Sequence, residues 1–482
     1  MEESQITKKA VAGVKWTTIS AIVSAIAKLL QVAILTRFLL KDDFGLVAIA
    51  LLVNSFCAIF MDMGITAAVL HKSKIEKAEY SSLYWFSIFS GIILTLLASI
   101  SAYPISEYYG EIELVNIVPL TSINIFLASV SGLQRTMQQK NMNFKFISIV
   151  EILSAIVMLI VSAALAILGF GIYSLVYSTI FNGLLIAVVY FVYGVFYEKN
   201  LSFHFKFSEI YDSLRIGIYQ VGTSILDFFS SEMDILIISS SFSMSFLGSY
   251  TLCKQIVTRL FSLINPIITK ILTPTLALYQ DNISFLRKKY LEIIKVLAII
   301  NIPIYFLIAI NAKEVLTILY GINYVENSYI LAILAINYGI LSLGNPVGSL
   351  IVATGKTNIG FRWTIFRIIV VSISLYFASS YSSKIFLLIL LGVNVFNIYP
   401  SWYIIYRKLI YITFKELILS MFKPLLLCSI LLFLYLIISL NIKNIILALI
   451  LKTIIFAFSY LTIVTLLAKE DMLKIKNIIL NK

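Results

Sequence analysis

The sequence predicts an all-α integral membrane protein with fourteen transmembrane helices, arranged as two six-helix lobes followed by two further helices. Three observations support this fold class. Hydrophobic residues make up 60% of the 482 residues and charged residues only 13%, which excludes a soluble domain of this size. Long apolar runs recur along the chain, and lysine and arginine concentrate in every second gap between them. A weak repeat of about two hundred residues relates the two lobes.

Each apolar run is close to the roughly 20 residues that a helix needs to cross about 30 Å of hydrocarbon. Backbone amides in lipid must pair within their own segment, so each run is predicted to be helical. The first lobe contains runs 16–36, 44–60, 84–103, 114–130, 146–168 and 172–196. The second contains 216–238, 246–265, 291–310, 329–351, 363–377 and 385–406, and the last two runs are 424–440 and 445–467. The predicted domains are therefore residues 1–200, 201–410 and 411–482.

The basic residues predict the orientation of the chain. They precede the first run, follow the last, and fill the even-numbered gaps, for example Lys72, Lys74 and Lys77 in the second gap and Arg135, Lys140 and Lys145 in the fourth. By the positive-inside rule both termini are predicted to be cytoplasmic. The net charge of +13 lies in short loops, so it indicates contact with anionic membrane lipids and not with nucleic acid.

The internal repeat is visible at three places in the same order. Gly13 corresponds to Gly217 at the start of each lobe, and Gly45 corresponds to Gly248 at the start of its second run. The third match aligns Asn143-Phe144-Lys145-Phe146 with Gly360-Phe361-Arg362-Trp363. Each copy contains an even number of crossings, so both enter the membrane from the same side and form a parallel repeat. This arrangement predicts a central cavity, a binding site near the bilayer midplane and transport by alternating access.

Three runs carry polar residues on one helical face, and these faces are predicted to line the cavity. Ionisable groups at mid-depth cost about 2.5 to 3.5 kcal/mol on insertion, so each needs a partner or water. The first run places Thr17, Ser20, Ser24, Lys28 and Gln31 at steps of three and four. The seventh run repeats the pattern with Gln220, Thr223, Asp227, Ser231 and Asp234, and Glu232 is close by. The eighth run carries Lys254, Gln255, Thr258, Arg259, Ser262 and Asn265.

Cations on these faces favour an anionic ligand such as pyrophosphate, because arginine offers a fork to phosphate oxygens and lysine a point charge. The predicted substrate-binding residues are Lys28, Gln31, Lys254 and Arg259. An alternative interpretation is that Asp227 or Asp234 pairs with Lys254 or Lys28 and holds the lobes together without touching substrate.

The carboxylates carry a separate prediction. Residues Asp227, Glu232, Asp234 and Glu151 are predicted either to bind a coupling proton or sodium ion or to pair with cations. For Glu151 a satisfied interior position is the preferred interpretation. No catalytic residue, metal site or cofactor is predicted, and without a Walker loop ATP is not expected to drive the protein directly.

Two local features carry structural predictions. Asp62 lies beside Gly64 at the end of the second run, where helix capping is expected. Asn345-Pro346 is expected to break the tenth helix.

Several stretches resemble bacterial polysaccharide exporters. The matching segments include Arg37-Phe38-Leu39-Leu40, Phe44-Gly45-Leu46-Val47-Ala48, Asp62-Met63-Gly64-Ile65, Gly169-Phe170-Gly171-Ile172-Tyr173 and Met233-Asp234-Ile235-Leu236. As a set, they are similar to Wzx-type flippases close to the colanic-acid-exporter branch of the MOP superfamily. The resemblance implies a two-lobed fold shared with the MATE exporters, and a cationic cavity.

The resemblance further implies a function in the bacterial plasma membrane. The protein would transfer undecaprenyl-pyrophosphate-linked oligosaccharide repeat units between leaflets for capsule, exopolysaccharide or O-antigen synthesis. It would cooperate with a polysaccharide polymerase and glycosyltransferases. Two alternatives stay open, a cation-coupled multidrug exporter and a non-transporting scaffold for glycan-assembly enzymes.

Overall fold

The computed structural model describes residues 3–72, 75–198, 201–279, 282–438 and 445–467. Within these ranges every regular element is helical, which confirms an all-α fold. Ten of the described helical segments are long and apolar enough to cross a membrane, judged by length and composition. The chain is therefore a multi-pass membrane protein, while the count of fourteen crossings stays a prediction.

The helices pack into two compact units, Met1–Thr251 and Leu252–Lys482. The predicted lobe boundaries at residues 200 and 410 stay predictions. The first unit contains α1 (Glu3–Leu35), α2 (Lys41–Asp62), α3 (Ile65–His71), α4 (Lys77–Ile100), α5 (Ala102–Tyr109), α6 (Leu114–Lys140), α7 (Phe144–Ile167), α8 (Tyr173–Val192) and α9 (Phe207–Ser241). A π-helical segment, Tyr193–Glu198, extends α8, and α10 (Met244–Ala277) begins in this unit.

Helix α6 is the central helix of the first unit. It packs against α2, α4 and α8, while α1 lies along α7. Ile117 and Val118 of α6 are fully buried. By contrast, Phe89, Ile93 and Leu96 of α4 are more than half exposed, as expected of side chains that face lipid.

Asp62 is the last residue of α2, and its side chain caps the start of α3. Met63 and Gly64 both adopt positive φ, 38° and 70°, which stops the helix. The Asp62 carboxylate then accepts hydrogen bonds from the backbone N–H and the hydroxyl of Thr66 in α3, at 3.3 and 2.5 Å. The capping role predicted for Asp62 is therefore confirmed.

The glycines matched by the predicted repeat, Gly45 and Gly248, pack against each other's helices. A Cβ on Gly45 would overlap the Met244 carbonyl oxygen at the start of α10, and a Cβ on Gly248 would overlap the Lys41 carbonyl oxygen at the start of α2. Only residues without a side chain allow two backbones to approach this closely. The contact is reciprocal, so a side chain on either glycine would separate the starts of α2 and α10.

A second glycine contact joins the other end of α2 to α9. A Cβ on Gly217 would overlap the Met63 carbonyl oxygen, and a Cβ on Gly64 would overlap the Gly217 Cα. Helix α2 is thus held at both ends by backbone contacts that any larger residue would disrupt.

The second unit begins within α10 and is also helical throughout its described part. It contains α11 (Ile283–Ile310), α12 (Ala312–Leu319), α13 (Ser328–Leu343), α14 (Val347–Ala353), α15 (Thr357–Ala378), α16 (Ser383–Phe396), α17 (Ile398–Ser401), α18 (Arg407–Ile410), α19 (Phe414–Ile438) and α20 (Ile445–Leu467). A 3₁₀ segment, Ile322–Asn327, precedes α13, and a π-helical segment, Trp402–Tyr406, precedes α18. Helix α11 packs against α13 and α19.

Two features of the second unit relate to the sequence predictions. The break expected at Asn345-Pro346 is present, because α13 ends at Leu343 and α14 begins at Val347. In addition, α11 is followed after one residue by the eight-residue α12, just as α4 is followed after one residue by the eight-residue α5. The third run of each predicted lobe therefore ends in the same way.

Candidate substrate-binding residues

The polar face of α1 points towards its neighbours in the first unit. Ser20 and Gln31 are buried, at 1% and 6% exposure. The opposite face carries Ile22, Ile26 and Leu30, which are 46%, 53% and 48% exposed. Because the apolar face is outermost, the polar residues of α1 are removed from the lipid-facing surface, as the sequence predicted.

Glu151 on α7 is bonded through both carboxylate oxygens. The Ser20 hydroxyl donates to Oε2 and the Arg135 Nη2 donates to Oε1, each at 2.5 Å. These contacts satisfy the Glu151 carboxylate, as preferred, although its side chain is 32% exposed and therefore not interior. Glu151 therefore joins three helices, α1, α6 and α7, through one carboxylate.

Arg135 was expected in a loop, and this expectation is wrong. The residue lies inside α6, which continues well past the predicted run to Lys140. The helix persists because Gln134, Thr136 and Gln138 stay buried against the bundle, and because glutamine, arginine and lysine are good helix formers. The sequence did contain a signal for the pair, since Arg135 and Glu151 are equally far from Asn143 in the turn between two antiparallel helices.

Lys28 and Gln31 lie further along the same face of α1. The Gln31 Nε2 donates to the Ser178 Oγ of α8 at 3.1 Å. Lys28, one turn earlier, is partly buried. Gln31 therefore contributes to packing between α1 and α8, whatever else it binds.

The carboxylates of α9 differ in their surroundings. Asp234 accepts hydrogen bonds from the Tyr250 hydroxyl and from the Ile235 backbone N–H. Glu232 is partly buried, whereas Asp227, two turns before Asp234, is exposed. Asp227 is thus the most accessible of the three for a mobile ion, and Asp234 is held in place by Tyr250.

The two predicted cations of α10 belong to the second unit. Lys254 is 7% exposed. The Nε of Arg259 is buried, and in the described part of the chain it has no hydrogen-bond acceptor. A buried donor without an acceptor costs about 1–3 kcal/mol, and more when the group is charged. This N–H is therefore suited to an acceptor brought by a ligand.

A third arginine, Arg287 at the start of α11, shows the opposite arrangement. Its Nη2 donates to both oxygens of Glu416, each at 2.6 Å. The guanidinium and the Thr413 backbone N–H and hydroxyl lower the pKa of Glu416 to about 2. This pair ties the start of α11 to the start of α19.

These features define a class of protein, a multi-pass helical membrane protein whose long helices carry buried and partly buried cations and carboxylates. The family described as "Polysaccharide biosynthesis protein" matches residues 34–329 of the chain. The match covers more than half of the sequence, so the chain belongs to this family.

Two relatives agree with that assignment. The chain is 28% identical over 376 residues to the teichuronic acid biosynthesis protein TuaB of Bacillus subtilis (strain 168), which covers 77% of each protein. It is 25% identical over 370 residues to the lipopolysaccharide biosynthesis protein WzxC of Escherichia coli (strain K12), covering 75% of this chain and 73% of that protein. The resemblance to polysaccharide exporters is confirmed.

Solved structures show the fold. The lipid II flippase MurJ in an inward closed conformation matches with a TM-score of 0.75 and 12% identity, covering 95% of this chain and 99% of that one. A multidrug resistance MATE family transporter of the MOP superfamily, in an inward-facing conformation, matches with a TM-score of 0.57 and 15% identity, covering 86% and 98%. The chain therefore has a helical fold similar to that of these two transporters.

Proposed function

We propose that this protein is a flippase that moves undecaprenyl-pyrophosphate-linked oligosaccharide units across the bacterial plasma membrane, with both termini in the cytoplasm. Family membership, the names of the relatives and the fold all support transport for polysaccharide synthesis in preference to catalysis. The exported units would serve capsule, exopolysaccharide or O-antigen assembly, with a polymerase and glycosyltransferases as partners.

The buried Arg259 Nε, for which the described residues provide no acceptor, is the observation that carries the proposal. A pyrophosphate offers several anionic oxygens, and bonds between guanidinium and phosphate are shorter and stronger than neutral ones. Lys254, also buried and less than two turns away, adds a point charge on the same helix. The ligand would thus supply the acceptor that the buried Arg259 Nε lacks among the described residues.

Transport would proceed by alternating access of the two predicted lobes. Lys28 and Gln31 would line the cavity from α1. Asp227, Glu232 and Asp234 would bind the coupling ion, a proton or sodium. Asp227 is exposed and therefore accessible to such an ion, while the bond from Tyr250 would limit the movement of Asp234.

The test is complementation of a strain that lacks the gene. Without the protein, lipid-linked units should accumulate in the inner leaflet and surface polysaccharide should be lost. A Lys28→Ala plus Arg259→Ala variant should insert normally but fail to restore export. The matched control is Arg287→Ala, which also removes a partly exposed arginine but should restore export, because Arg287 is already paired with Glu416.

Normal surface polysaccharide in the deletion strain would refute the flippase proposal. Purified protein in liposomes separates the two alternatives. A multidrug exporter would move cationic dyes and confer resistance to them, whereas a scaffold would move neither dyes nor lipid-linked sugar.

A further inference from the structure

Arg135 is exposed although most of its neighbours on α6 are buried. Gln134, Thr136 and Gln138 are 1%, 4% and 1% exposed, whereas the Arg135 side chain is 47% exposed. Its guanidinium therefore opens onto space that the described protein atoms do not fill. Outside the ion pair with Glu151, this cation is accessible to a ligand.

The position of Arg135 along α6 indicates how deep in the membrane its guanidinium lies. At a rise of about 1.5 Å per residue, Arg135 lies about 30 Å from the start of α6 at Leu114. That distance equals the thickness of the hydrocarbon core, so under the predicted topology Arg135 lies at its cytoplasmic boundary. The phosphate groups of lipids in the inner leaflet lie at the same depth.

Among the described residues Arg135 bonds to Glu151 and also hydrogen-bonds with Tyr190, and N–H groups of its guanidinium remain for a ligand. Glu151 is reached through Nη2 alone, and the guanidinium carries five N–H groups in a planar fork. The second oxygen of Glu151 is taken by Ser20, which fixes the carboxylate and hence the direction of the arginine. A guanidinium oriented in this way loses little entropy when it binds a planar or tetrahedral anion.

A second cation lies at the same end of the bundle. Lys145 lies at the start of α7, and its ammonium is 5.7 Å from the centre of the Trp16 ring on α1. Its charge adds to the positive potential at this end of α1 and α7. A headgroup with two phosphates would be attracted to it.

We infer that Arg135 binds the diphosphate headgroup of the lipid-linked substrate at the cytoplasmic boundary, as a loading site on the first unit that is separate from Arg259. The identity of the ligand rests on the proposed function. Glu151 and Ser20 are positioning residues in this scheme. The carboxylate also weakens the site by repelling the anion, which allows the headgroup to leave again.

An ion pair that only joins α6 to α7 would behave differently. In a purely structural pair, both partners matter in the same way, and neither affects the binding of an anion. In a loading site, removing the arginine weakens binding and removing the carboxylate charge strengthens it. The two variants therefore have opposite effects on the same measurement.

The experiment measures binding of inorganic pyrophosphate to the purified full-length protein in detergent by isothermal titration calorimetry. Each variant is made in an Arg259→Ala background, so that a site at Arg259 does not contribute. Arg135→Gln should weaken binding by tenfold or more, Arg135→Lys by less, and Glu151→Gln should strengthen it a few-fold. Arg287→Gln, the matched control, should leave it unchanged.

Unchanged affinity in Arg135→Gln, or weaker binding in Glu151→Gln with a normal gel-filtration profile, would overturn the inference. If Arg135→Gln does not fold, Arg135→Lys decides, since it keeps the charge and loses the fork. Failure of the flippase proposal is seen separately, in the polysaccharide of the deletion strain, because the calorimetry requires no transport.

Discussion

Arg135 in the first unit and Arg259 in the second are both arginines within long helices, but their surroundings differ. Arg135 is partly exposed and bonded at 2.5 Å to Glu151. Arg259 has a buried Nε that, among the residues the structure describes, finds no acceptor. One charge is balanced inside its own unit, and the other retains an unmet hydrogen-bonding group. The same residue type is therefore held by a carboxylate at one position and, within the described residues, lacks an acceptor for one N–H at the other.

The largest effect is expected for Arg259→Met, which removes the unmet donor and keeps a side chain of similar length. Export should fall by about tenfold to a hundredfold, the loss expected for a bond worth about 1.5–3 kcal/mol to a charged group. Stability should hold or rise, because replacing a partly buried charge that has an unsatisfied N–H by an apolar side chain is often stabilising. Surface polysaccharide and thermal unfolding measure the two effects.

A drop in the unfolding temperature of Arg259→Met would show that Arg259 supports the fold. Arg259 and Arg135 would then both stabilise the fold, and the difference proposed between them would be wrong. Glu416→Gln provides a reference for a modest loss of stability, since it breaks the ion pair with Arg287 in the same unit.

A smaller effect is expected for the Arg135 and Glu151 pair. Each single glutamine variant should lower the free energy of unfolding by about 1 kcal/mol, a value reduced by solvent screening of the partly exposed groups. The Arg135→Gln plus Glu151→Gln double variant should recover part of this loss, because it leaves no unpaired charge. A double-mutant cycle of thermal unfolding measures the coupling.

Additive losses in that cycle would mean that the two residues act independently. The Arg135–Glu151 bond would then not distinguish this arginine from Arg259. Ser20→Ala, added to the cycle, would measure the contribution of the third partner.

The smallest effect is expected for Arg287→Gln, at the partly exposed pair with Glu416. The loss of stability near pH 7 should be under about 1 kcal/mol. Because Arg287, together with Thr413, lowers the pKa of Glu416 to about 2, below its ordinary value of 4.5, the ion pair contributes stability above pH 4.5. That contribution should be lost as the pH falls through about 2, where wild type and variant should converge.

Chemical denaturation of the two proteins at a series of pH values measures this convergence. A difference between them that grows on acidification would contradict the assigned sign. The same measurements give the contribution of a paired arginine to the free energy of unfolding when no ligand is bound.

Much of the fold could be predicted because lipid restricts the secondary structure that a segment in the membrane can adopt. A backbone in hydrocarbon must satisfy its own hydrogen bonds, so apolar runs become helices, and polar residues spaced by three and four must leave the lipid face. Ser20 and Gln31 on α1 follow this rule, while the break at Asn345-Pro346 was predictable because proline interrupts a helix. The end of α6 was missed, because hydropathy falls at residue 130 while burial by neighbouring helices continues to Gln138.

The sequence by itself determined the helical class, the family and which faces of the helices are polar, because these depend on composition and local spacing. Only the tertiary structure decided the partners: that Glu151 binds Arg135 and Ser20, and that Gly45 and Gly248 pack against each other's helices. The physical reason is distance along the chain. Contacts between residues far apart in sequence depend on how whole helices pack. Helical periodicity predicts which face of a helix is polar, but it does not predict which other helix packs against that face.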